Sequence, residues 1–193
     1  MNSIGFYFDL GWHHIISWDA LDHLLFVLVL SAIYVLGDWK QVLILITAFT
    51  IGHSLTLALS VYNIIKVNEK WVEFLIPCTI IITAVFNFLQ KGFKPKILQL
   101  NYFLALFFGL IHGLGFANTI RFMLAKNQSM GWSLLGFNIG LEAGQIVIVF
   151  VILIMSYLVV NIGKVNRKWW VWILSSIAMC IAIKMAWERM LII

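Results

Sequence analysis

Gly109-Leu110-Ile111-His112-Gly113-Leu114-Gly115-Phe116 sets one histidine among three glycines inside an apolar run. Asn138-Ile139-Gly140-Leu141-Glu142-Ala143-Gly144-Gln145, in the next apolar run, sets a carboxylate among glycines. Bringing an ionisable side chain into hydrocarbon costs about 2.5–3.5 kcal/mol on insertion scales, so a chain that accepts this cost repeatedly has a use for the groups. Gly109/Gly113 and Gly140/Gly144 share the four-residue spacing that lets membrane helices approach closely. The pattern predicts a tight helix pair with His112 and Glu142 facing each other. A structural hydrogen bond between them is the plainer alternative.

The rest of the chain has the same character. Of 193 residues, 63% are hydrophobic and 11% charged, against about 25% charged in soluble domains. A soluble fold is excluded, and the expected class is an all-α polytopic helix bundle forming a single integral membrane domain, 1–193. A span needs about 20 mostly apolar residues. Six candidates fit, near 20–36, 42–62, 71–89, 102–123, 132–160 and 169–185, joined by short connections. Trp39, Trp71, Trp132, Trp169 and Trp170 fall at their ends, where an aromatic belt belongs. Residues 1–19 are aromatic-rich and broken by Gly11. They are expected to form an interfacial segment or lid carrying His13, His14 and Asp19, and they lack the basic start of a cleaved signal peptide. Cys78 and Cys180 lie in separate apolar runs and are expected to be buried thiols.

The net charge of +5 is spread over short loops, which speaks to orientation and not to nucleic acid. Lys66, Lys70, Arg121, Lys126 and Arg189 fall on the side of the N-terminus. Lys40, Lys91, Lys94, Lys96, Lys164, Arg167 and Lys168 fall on the other. The positive-inside rule then places both termini outside.

Few ionisable residues lie inside the spans: Asp22, His23, His53, Glu73, His112, Glu142 and Lys184. Lys184 has Glu188 at i+4, a simple surface pair. By helical rise, His53, His112 and Glu142 each sit roughly 14–15 Å from the outer end of their span. Asp22, His23 and Glu73 are nearer that end, and the inner half carries nothing comparable. One cavity opening outward accounts for this placement. Thr50, His53 and Thr56 form one polar stripe, and Asn138, Glu142 and Gln145 another. Imidazole with carboxylate is a ligand set for nickel, cobalt, zinc, iron or copper. The expected metal ligands are His23, His53, His112 and Glu142, with Asp22 fixing which imidazole nitrogen is free. His14, Asp19, Asn138, Gln145 and Glu73 are expected to support them or close over them.

Four blocks resemble the HupE/UreJ family of bacterial membrane proteins. They are residues 14–26 (HIISWDALDHLLF), 49–57 (FTIGHSLTL), 108–116 (FGLIHGLGF) and 138–145 (NIGLEAGQ), in the family's order. The resemblance implies a nickel or cobalt permease of the bacterial inner membrane, with Asp22, His23, His53, His112 and Glu142 handling the metal. The family's first-helix histidine stands six residues before the aspartate, whereas here His14 stands eight before Asp22 and residue 16 is Ile. Two other functions fit the residues themselves. A membrane-embedded zinc hydrolase would use an open metal position to activate water, and a structural membrane subunit would use the polar groups only for packing.

Overall fold

The computed structural model describes residues 3–17, 20–90, 98–116, 119–120 and 130–193. Asp19 lies outside the described residues, as do Lys91, Lys94, Lys96, Arg121 and Lys126. The described residues form an all-α bundle with no strand. Its helices are α1 Ser3–Ile16, α2 Leu21–Ser31, α3 Trp39–Val61, α4 Glu69–Leu89, α5 Leu98–Gly115, α6 Met130–Ser156 and α7 Arg167–Met190. A π-helical turn, Tyr157–Ile162, extends α6.

Three helix pairs have the most extensive packing: α3 with α5, α1 with α6, and α4 with α7. Helix α2 lies among them, against α4, α6 and α7. Beyond Asp22 and His23 in its first turn it is apolar on all sides, as a largely enclosed helix must be. Phe26, Val27 and Val29 are buried and join Leu45, Phe49, Ile80, Phe108 and Leu153 in the main core.

Six spans were expected. Among the described residues four stretches are long and apolar enough to cross: Leu36–Val61, Glu69–Leu89, Met130–Ile162 and Arg167–Met190. Ile4–Ile16 and Leu21–Ser31, bent by 69°, make a fifth if taken as one broken span. The apolar helix Asn101–Gly115 is shorter.

The candidate span 20–36 is helical only over Leu21–Ser31, about 16 Å at 1.5 Å per residue and too short to cross alone. It stops inside the protein because neighbours take over its carbonyls. Asn87 Nδ2 donates to the Val29 carbonyl at 2.9 Å and to Ser175 Oγ at 3.0 Å. Arg167 donates to the Ile33 carbonyl, and Ser156 Oγ to the Tyr34 carbonyl. Non-helical backbone at membrane depth is tolerated only where protein satisfies it in this way. The half of the bundle away from the start of α2 therefore does hold a polar network, built from an amide, hydroxyls and the Arg167 guanidinium.

The glycine seams exist, but not between the expected partners. A Cβ on Gly109 would stand 2.1 Å from the Phe49 carbonyl oxygen, and one on Gly113 2.2 Å from that of His53. Those glycines pack α5 on α3. Gly140 meets the Phe8 carbonyl and Gly144 the Ile15 side chain, so that seam packs α6 on α1. Lys184 and Glu188 do pair, at 3.7 Å. Both cysteines are free, and Cys180 is exposed on the bundle surface rather than buried.

Candidate metal site

Four helices each deliver one imidazole to the same end of the bundle. His23 is at the centre. Its ring centre lies 5.0 Å from that of His14, 4.9 Å from that of His112 and 5.8 Å from that of His53. Asp22 stands in the first turn of α2, where a helix N-terminus favours negative charge. Its Oδ1 lies 3.1 Å from His23 Nδ1. His112 Nδ1 donates to the Phe108 carbonyl at 2.8 Å.

These contacts assign the Nδ1 proton of His23 and of His112. An imidazole that gives its Nδ1 proton to a carboxylate or carbonyl keeps a lone pair on Nε2, the arrangement of metal-binding histidines with oriented outer partners. The Nε2 atoms of His14, His23 and His112 are all buried and have no hydrogen-bond partner. A buried polar atom without a partner costs about 1–3 kcal/mol. The three histidines line a cavity of about 170 Å³, shared with Asp22, Glu73 and Arg189. Phe26, Phe49, Phe116 and Phe137 wall the group with aromatic contacts. Among the described residues no three His, Cys, Asp or Glu side chains are already gathered around one point as in a finished metal centre.

The expected ligands divide between two places. Asp22, His23 and His112 line this chamber, with His14 as a full member and Glu73 exposed at its rim. His53 is fully buried behind His23, with the Asn138 side chain beside it. Glu142 is elsewhere, because α5 packs on α3 and α6 on α1. It accepts a hydrogen bond from Thr47 at 2.8 Å and lines a separate groove with Asn138. Gln145 accepts from Thr50 at 2.9 Å.

The model of one protein family, described as HupE / UreJ protein, matches residues 1–189. The chain belongs to the HupE/UreJ family. Comparison with curated proteins and with solved structures returned no match. HupE/UreJ proteins are associated with nickel and cobalt transport, which agrees with a nitrogen-rich chamber.

Sequence reasoning missed one chamber residue of this HupE/UreJ chain. Arg189 Nη2 lies 3.2 Å from Asp22 Oδ2, and its Nη1 donates to the Glu73 carbonyl at 2.7 Å. That carbonyl is free because Pro77, four residues on inside α4, has no N–H to give it. A proline inside an apolar run was the available signal. It announces an unpaired carbonyl in the preceding turn, and a cation from another helix fills the gap here.

Proposed function

We propose that the chain is a permease for a divalent transition metal of the nickel or cobalt type, and that the His14/His23/His112 chamber with Asp22 captures the ion. The observation that carries this is the set of three buried, unpartnered Nε2 atoms around one cavity, two of them on rings whose Nδ1 is held by Asp22 or Phe108. Neutral imidazole suits nickel, cobalt and zinc, and the ions at issue here are cargo. A chamber that is not drawn tightly around one point favours exchange over retention. Resident Arg189 neutralises Asp22 until a divalent ion takes its place. His53, behind His23, is the next nitrogen along the way inward.

The broken helix α2 supports transport. It runs from the chamber to carbonyls at the opposite end, the half-helix construction by which transporters line ion paths with backbone. The bilayer and the ion are the partners this function needs. We place the protein in a bacterial cytoplasmic membrane with the chamber end outward.

The test is uptake of radioactive nickel by proteoliposomes containing the purified protein. A His23→Ala/His112→Ala double variant should lower uptake roughly 10-fold or more, the scale on which metal-site changes act. Uptake by the double variant equal to the parent's would overturn the proposal.

A further inference from the structure

The groove that holds Glu142 is a second place with chemistry of its own. It lies between α3 and α6, has a volume of about 300 Å³, and is lined by Thr47, Thr50, Ser54, Asn138 and Glu142. Its apolar neighbours Ile51, Leu135 and Ile139 are exposed on the bundle surface. Glu142 is thus a carboxylate at mid-span, and it has no cationic partner among the described residues. An intramembrane carboxylate calls for a counter-charge.

The hydrogen bonds of the groove point one way. Thr47 donates to Glu142 Oε1, and Thr50 to Gln145 Oε1. Ser54 donates to the Thr50 carbonyl at 2.7 Å, and Asn138 Nδ2 to the Leu134 carbonyl at 2.9 Å. Each hydroxyl proton is already committed to a protein acceptor. What the hydroxyls turn toward the groove is oxygen lone pairs, beside the Glu142 carboxylate. Hydroxyl lone pairs beside one negative charge suit a cation and do not suit an anion. Oxygen ligands select hard cations, whereas the imidazoles of the first chamber select softer transition ions. One carboxylate balances one positive charge.

We propose that this groove binds a hard monovalent cation of the sodium type, at a site separate from the histidine chamber. Asn138 also lies beside His53, so occupancy of the groove is communicated to the inner side of the chamber. That coupling role rests on the permease function; the binding does not.

The experiment is equilibrium binding of radioactive sodium to the purified protein in detergent, in choline buffer free of divalent ions and at several pH values. The parent should bind sodium with about one-to-one stoichiometry. Glu142→Gln should weaken binding at least about tenfold. Thr47→Val, which keeps the shape of the side chain, should weaken it less. His112→Ala should lose nickel and keep sodium. Absence of sodium binding by the parent, undiminished binding by Glu142→Gln, or loss of sodium in His112→Ala would each overturn the proposal. So would a groove that responds to pH and not to sodium. Failed nickel uptake beside intact sodium binding would overturn the permease function alone.

Discussion

Asp22 has two partners: His23 on one oxygen and Arg189 on the other, at 3.1 and 3.2 Å. A divalent ion entering beside the imidazoles competes with the guanidinium for that carboxylate. Replacing Arg189 by Ala should therefore tighten nickel binding roughly two- to fivefold, the range of a partly exposed ion pair, as read by titration calorimetry. Weaker binding would mean that Arg189 holds Asp22 in position and does not compete. Acid should act in the opposite direction. A ligating imidazole must be neutral, so protons displace metal, and nickel affinity should fall on acidification across the pH interval in which the protein stays folded. Affinity that stays level across that interval would leave carboxylates as the principal ligands. Asp22, His23, His53 and His112 were legible in the sequence because ionisable groups in apolar runs are conspicuous. Arg189 was not, since a basic residue near a helix end looks like any loop charge until Pro77 and the freed Glu73 carbonyl are considered together.

The chamber's precision depends on how closely whole helices approach. At Gly113 an added Cβ would meet the His53 carbonyl oxygen at 2.2 Å and Thr56 Oγ1 at 2.4 Å. Gly113→Ala must push α5 away from α3, carrying His112 off His53, at a cost of about 1–3 kcal/mol typical of overpacking. Gly131, near the start of α6, has nothing within 4 Å of such a Cβ. In thermal unfolding followed by circular dichroism, Gly113→Ala should melt lower and Gly131→Ala should match the parent. Equal melting of the two variants would show that the seam is slack. The spacing of small residues announced this close approach, but spacing is silent on the partner. That is why Glu142 was expected opposite His112 and instead lines the α3/α6 groove. The early end of α2 was hidden for a related reason. The residues that terminate it, Asn87, Ser156 and Arg167, are scattered over three other helices and converge only after folding.

At the scale of the molecule the two ends differ. The chamber end gathers the start of α2, the start of α4 and the end of α7, tied by Arg189 to Asp22 and by Lys70 Nζ to the Ile192 carbonyl at 2.8 Å. The opposite end gathers the end of α2, the start of α3 and the start of α7, tied by Arg167 to Asp38 at 3.5 Å. Lys40, Lys164 and Lys168 belong to that opposite end, and the positive-inside rule assigns such an end to the cytoplasm. On the proposed orientation an ion released there crosses from outside to inside, so orientation decides between uptake and export. Val67 and Val165 are exposed residues just before α4 and α7, on opposite ends. With Cys78 and Cys180 changed to Ser, a Val67→Cys variant in intact cells should react with a membrane-impermeant maleimide, and Val165→Cys should react only after permeabilisation. The reverse pattern would turn the chamber toward the cytoplasm. The same histidines would then load metal from inside, and the protein would have to be considered an exporter.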